Sequence, residues 1–258
     1  MNEPSRFSIL VNTTDQYEDC WEPFFKLFKK YWSQFEGNIY LNTETKQFGT
    51  PELKISSIQN KLIHKTWSEC LRFALNFIEE EIILYLQDDY FLNDFVDQQK
   101  IQYYADLMVK EKIDCIHLSP YASKGPFYLT QYPNLMKFAR NAEYKISLQA
   151  ALWQKSLLKK YLRVHENAAQ FERYGTKRAW RSQEEIYNYF DLLNKTSLIP
   201  YYSTGIIKGK WNRVAVKQLF EQNDITVDFT RRGYYEGVGN SKPKITIKKI
   251  VSRIRSIF

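Results

Sequence analysis

Two adjacent carboxylates, Asp88 and Asp89, stand where an apolar run stops. Ile82-Ile83-Leu84-Tyr85-Leu86 leads into Gln87-Asp88-Asp89, and apolar residues resume at Tyr90-Phe91-Leu92. Carboxylates are almost never buried unless they are paired or hold a cation. Hard oxygen ligands side by side suit Mn²⁺ or Mg²⁺, which can offset the charge that develops on a phosphate leaving group. The plainer reading of the same two residues is a strand-end turn with an Asp capping the next helix. Downstream, His165-Glu166-Asn167-Ala168-Ala169-Gln170-Phe171-Glu172 places two glutamates six residues apart. Either can take the proton of an attacking hydroxyl, or be an ordinary solvated acid. Asn167 with Gln170 three residues on reads as a capping box, which sets Glu166 just outside a helix and Glu172 well inside it.

The elements that would position these groups follow from hydrophobic spacing. Phe7 to Val11 reads as a first strand, ending in the polar tip Asn12-Thr13-Thr14-Asp15, and Phe24, Phe25, Leu27, Phe28, Tyr31 and Trp32 then recur at helical spacing. From the end of that strand Thr13 and Asp15 can meet a nucleotide, while a helix-entry role explains Asp15 equally well. Asn38–Asn42 and Leu53–Ile58 read as strands, Trp67–Ile78 as a helix, and Ile82–Leu86 as a strand buried on both faces. The result is an alternating α/β chain with a mostly parallel sheet, in which ligands gather at the carboxyl ends of the strands. No Gly-x-Gly-x-x-Gly is present, so a dinucleotide fingerprint is lacking. Beyond Asp89 the spacing predicts a helix over Val96–Lys110, a strand over Asp114–Ser119 with His117 as a core histidine, and a turn-rich stretch over Gly125–Pro133. A helix is predicted over Trp153–Leu162, and a surface helix or extended segment over Glu184–Leu193. Gly205-Ile206-Ile207-Lys208-Gly209-Lys210-Trp211 reads as a short strand between glycines. Its Lys208 can touch phosphate or be a charged turn residue.

At 258 residues the chain can bury one sizeable α/β core, and its three cysteines, odd in number and far apart, form neither a zinc pattern nor a disulfide framework. That usage points to a reducing, cytoplasmic setting. The first residues do not read as a signal peptide, and no stretch is apolar enough to span a bilayer. The net charge of +8 is concentrated at the end, where residues 242–258 hold six basic and no acidic residues. This amphipathic tail suits an anionic membrane surface, which would place the protein peripherally on the inner face of the membrane, and reads equally as a solvated terminal helix or disordered arm. It does not suit nucleic acid, which would want basic residues interleaved with aromatics over a whole face. With 19 Tyr, 17 Phe and 6 Trp the chain has rings to line clefts for sugars or nucleotides.

Taken in order, these pieces resemble bacterial nucleotide-sugar glycosyltransferases of the GT-A type, of the sort encoded with capsule or lipopolysaccharide genes. The matching residues are Ile9–Val11 with Asn12-Thr13-Thr14-Asp15, the helix Trp67–Ile78, the strand ending in Gln87-Asp88-Asp89, and His165-Glu166-Asn167 with Phe171-Glu172. The resemblance covers about residues 7–212 and implies a catalytic domain over 1–212, with 213–258 a C-terminal helical segment and basic tail. It implies a nucleotide-sugar donor, UDP-linked by preference, and a saccharide or lipid-linked saccharide acceptor. Asp89 would meet the cation, Asp88 the sugar or ribose, Asp15 the uracil or ribose, and Glu166 or Glu172 would be the base of an inverting transfer. The family's Asp-x-Asp pattern is broken here, because Gln87 replaces its first acid. The competing readings are a metal-dependent phosphatase or nuclease and a non-catalytic nucleotide- or saccharide-binding protein.

Overall fold

The computed structural model describes residues 5–61, 65–119, 124–191, 197–202 and 204–237. Within them a nine-stranded sheet runs in the order β3-β2-β1-β4-β8-β5-β9-β7-β6. The strands are β1 (Ser8–Asn12), β2 (Ile39–Asn42), β3 (Ile55–Ser57), β4 (Ile82–Gln87), β5 (Cys115–His117), β6 (Phe127–Leu129), β7 (Leu135–Phe138), β8 (Ala151–Gln154) and β9 (Ile186–Tyr189). The block β3-β2-β1-β4 is parallel, as is the pair β5–β9. Only β8 and β7 run against the rest. This is the mixed, mostly parallel α/β sheet expected of a Rossmann-related GT-A fold.

The period of two along each strand divides the core. Ile9, Val11, Ile82, Leu84 and Leu86 face one side, where α1 (Glu18–Tyr31), α3 (Gln98–Glu111) and α6 (Arg213–Glu221) pack. Leu10, Ile83 and Tyr85 face the other, covered by α2 (Trp67–Phe77), α4 (Lys155–Tyr161) and α5 (Ala168–Ala179). Residues of β4 from Ile82 to Leu86 are all buried, which is why the run reads as continuously apolar. Two helices carry complete capping boxes, Thr66 with Glu69 on α2 and Asn167 with Gln170 on α5.

Three sequence expectations change. Trp153 and Gln154 belong to β8 and not to a helix, because pairing with both β4 and β5 satisfies their backbone, and the helix starts only at Lys155. The segment at Glu184–Leu193 supplies β9, a wholly buried strand and not a surface element. The turn-rich stretch after Gly125 supplies β6, which pairs with β7 at the sheet's edge.

Past Trp211 the chain keeps adding to the same core. Phe220 packs edge-on to Phe91 at 5.0 Å, Trp211 lies 5.7 Å from Phe229, and Phe229 stacks on Tyr234 at 5.1 Å. Lys26 and Lys30 of α1 donate to the Asp224 carbonyl at 2.6 Å and to Asn223 at 2.5 Å. Residues 213–237 therefore pack against the α1 side of the sheet. The basic tail lies outside the described residues. Among those described, no helix is long and apolar enough to cross a membrane.

Candidate active site

In-register pairing of β1 with β4 sets Asn12 opposite Gln87, so Thr13 and Asp88 leave the sheet side by side. The Thr13 hydroxyl donates to Asp88 Oδ2 and accepts from Trp21 Nε1 at 2.8 Å. A hairpin of β10 (Ile206–Ile207) and β11 (Lys210–Trp211) approaches the acids from the other side. The Thr204 hydroxyl and the Ile206 amide, at 3.1 Å, both donate to Asp89 Oδ2, and the Gly205 amide donates to the Asp89 carbonyl at 2.8 Å. Only glycine permits this approach. A Cβ on residue 205 would lie 2.2 Å from the Phe91 ring and 3.1 Å from the Asp89 carbonyl.

Both acids are 5% exposed. Burial pushes the Asp88 carboxyl well above the ordinary range, and the charge of Asp89 adds to it against the pull of the Thr13 bond. Burial raises Asp89 as well, partly offset by Thr204 and the Ile206 amide. Among the described residues Asp89 Oδ1 is buried with no hydrogen-bond partner. Among the described residues no group of three His, Cys, Asp or Glu side chains is placed to hold a metal. The two carboxylates, one of them with a hard oxygen unpartnered among the described residues, fit a divalent cation that takes its other ligands from outside the protein.

The other candidates separate. Glu172 reaches the same edge. Its carboxylate accepts from the Leu148 amide at 2.8 Å and the Ser147 hydroxyl at 3.2 Å, and partial burial raises its pKa against these bonds. The Leu148 carbonyl accepts from the Tyr90 hydroxyl at 3.0 Å and, at 3.5 Å, from Gln87 Nε2, which ties the glutamate's loop to the acid pair's own segment. Glu166 is fully buried, and both its oxygens are committed to Arg178, at 2.7 and 2.8 Å. No face of that carboxylate is open to a substrate hydroxyl. Glu166→Gln would leave the Arg178 guanidinium buried and uncompensated. The expected loss is about 3 kcal/mol of unfolding free energy, read by urea denaturation; unchanged stability would show that the pair is not holding α5 in place.

Asp15 also turns away from its expected role. Its carboxylate accepts from the amides of Glu44, Thr45 and Lys46, at 3.0, 2.9 and 3.2 Å, and from the Thr45 hydroxyl at 2.5 Å. Partial burial raises its pKa, but these four donors outweigh it and hold the group below the usual range. It thus staples the loop after β1 to the loop after β2. Lys208 is exposed at the hairpin tip, with φ of 51° there and 78° at Gly209, the signature of a type I′ turn. Its ammonium lies 5.7 Å from the Tyr235 ring.

Sequence reading missed Thr204, Gly205 and Arg232. The Arg232 side chain is 10% exposed and pairs with both oxygens of Asp19 at 2.6 Å, with its guanidinium 4.4 Å from the Tyr17 ring. Its charge reaches Asp88 and lowers that carboxyl slightly against burial. No local signal could have found it, since Asp19 and Arg232 lie at opposite ends of the chain.

The mixed, mostly parallel α/β sheet flanked by helices is a GT-A- or Rossmann-like fold. Among solved structures, the chain is similar to residues 1–349 of TarS from S. aureus in complex with UDP. The identity is 14% and the TM-score 0.51, over 88% of this chain and 68% of that one. The same fragment in complex with UDP-GlcNAc matches with 14% identity and a TM-score of 0.50, covering 88% and 69% of the two chains. A longer TarS structure matches with 14% identity and a TM-score of 0.51, where 88% of this chain covers 41% of that one. At such identity the likeness establishes the fold. No protein-family model matches the chain, and no curated protein matches it by sequence.

Proposed function

We propose that the chain is a nucleotide-sugar-dependent glycosyltransferase that moves a sugar to a hydroxyl of a saccharide or lipid-linked saccharide. The observation that carries this reading is the buried acid pair at the carboxyl end of β4, with Asp89 Oδ1 left without a partner among the described residues, near the loop that Glu172 caps. The TarS fragment of the same fold is complexed with UDP and UDP-GlcNAc, which favours a UDP-linked donor here. Asp89, with Asp88 beside it, would hold Mn²⁺ or Mg²⁺ against the donor's diphosphate. The bound ion supplies a positive charge that stabilises the departing nucleotide diphosphate. Thr13 and Thr204 hold the two carboxylates in place by donating to one oxygen of each. Glu172 takes the proton of the acceptor hydroxyl as it attacks the anomeric carbon from the face opposite the leaving group, which inverts that centre. Its raised pKa suits the task, because a base works best when its pKa nears the working pH. A hydrolase built on paired acids would draw further acids or histidines to the metal, and among the described residues no such group forms.

Calorimetric titration with UDP tests the reading. Binding is expected in the presence of Mn²⁺, weakened by about two orders of magnitude in Asp89→Ala. Failure of UDP, GDP, CMP and dTDP alike to bind, with and without metal, would sink it.

A further inference from the structure

A groove of about 420 Å³ opens immediately beside the acid pair's segment, within the roughly 300–1,000 Å³ typical of small-molecule sites. It is built by two strips of chain locked together. Leu92 bridges Tyr201, the Asn93 amide donates to the Pro200 carbonyl at 3.1 Å, and the Tyr90 and Tyr201 rings stack at 4.5 Å and 2°. The Tyr201 hydroxyl donates to Gln149 Oε1 at 2.6 Å, and Gln149 adjoins the Leu148 that Glu172 caps. The groove's walls are therefore tied to the segment that carries the acids and, through Tyr201 and Gln149, to the loop that Glu172 caps.

Its lining combines two chemistries. Phe95 and Tyr202 are 72% and 58% exposed, which leaves ring faces open to a ligand. Between them lie Asn93, Asp94 and Asp97, all exposed. Among the described residues the one cation lining it, Lys100, is held on the Tyr189 hydroxyl at 3.1 Å. Acceptor groups at the rim disfavour a phosphate chain, and charged rims disfavour an acyl chain. A pyranose satisfies both surfaces at once. Its C–H face carries hydrogens of positive polarity that meet the negative face of a ring, while its equatorial hydroxyls donate to carboxylate and amide oxygens.

We propose that this groove is a saccharide subsite that receives the second and later sugar units of the acceptor, so that the protein acts on oligosaccharides in preference to single sugars. The proposal rests on the transferase reading for its place in a reaction, but the groove binds sugar whether or not transfer occurs. Phe95 and Tyr202 are the specificity-determining residues. Neither is hydrogen-bonded to the acid pair, and both rings are mostly exposed, with Phe95 meeting Tyr31 edge to face at 5.5 Å.

The test is saturation-transfer NMR with neutral oligosaccharides of one to six glucose, galactose or N-acetylglucosamine units. It is run on the full chain, on Phe95→Ala and on Tyr202→Ala, with UDP titration on each. At least one series is expected to bind more tightly as it lengthens. Each variant should weaken the longer members about fivefold, while UDP binds as before. Binding by no series in wild-type protein overturns the subsite, and so does binding that neither variant alters or that does not grow with length. Oligosaccharide binding at the groove in a protein that takes no nucleotide leaves the subsite standing and overturns the transferase reading alone.

Discussion

Glu172→Gln is expected to lower turnover by about 10²–10⁴-fold while UDP affinity stays within a factor of two or so, since nothing in the donor's proposed contacts involves this side chain. The amide keeps the shape and can still accept from the Leu148 amide and the Ser147 hydroxyl, so the loop that carries Leu148 should hold its place. What is lost is the group proposed to take the proton. The pH profile separates this from a structural effect. Partial burial raises the Glu172 pKa, and a base acts only when deprotonated. The acidic limb of the wild-type rate profile should therefore fall away at a pH above the ordinary carboxylate range, and the residual activity of the variant should lack that limb. Single-turnover rates with saturating donor across pH would check both points. An unchanged rate in Glu172→Gln would remove the residue from the mechanism.

Asp88→Asn should make the protein without ligand more stable while abolishing transfer. Two carboxylates in a buried position repel, and each pays for its lost hydration. The asparagine keeps an oxygen for the Thr13 hydroxyl and removes the charge. A gain of about 1–3 kcal/mol is expected, or a rise of several degrees in Tm for a domain of this size. The sign of the pH dependence follows from the direction of the shift. Both carboxyls are raised in the fold, so the folded state binds more protons than the unfolded chain between the ordinary and the raised pKa. Stability is fullest below the ordinary carboxylate range and is lost as pH rises through the raised pKa values. Asp88→Asn should flatten that decline, and Mn²⁺ with UDP should oppose it in the wild type by binding only the folded, deprotonated pair. Thermal melts from pH 5 to pH 8, with and without Mn²⁺ and UDP, measure all three effects. A destabilised Asp88→Asn protein would mean that the Thr13 bond needs the charge, and that the pair is not strained by repulsion.

The sequence by itself determined the frame of this protein. A both-face-buried strand must be apolar throughout, so β4 was legible and its end was unmistakable at Gln87-Asp88-Asp89. Helix α5 was legible with its cap, because Asn167 and Gln170 act within one turn. These are local or strictly periodic signals. What only the tertiary structure decided is which acids are already committed to partners within the fold. Glu166 and Glu172 are six residues apart and similar on paper. One is answered by Arg178 from the same stretch of chain, and the other is turned to Leu148 at the sheet's carboxyl edge. Asp15 is consumed by amides some thirty residues ahead of it. Thr204, Gly205 and Arg232 come to the acids across more than a hundred residues. Strands β8 and β9 likewise exist because their neighbours offer unpaired backbone, and neither has an alternation of its own. A carboxylate's chemistry is set by its donors and its burial, and both depend on partners that only folding brings within hydrogen-bond range.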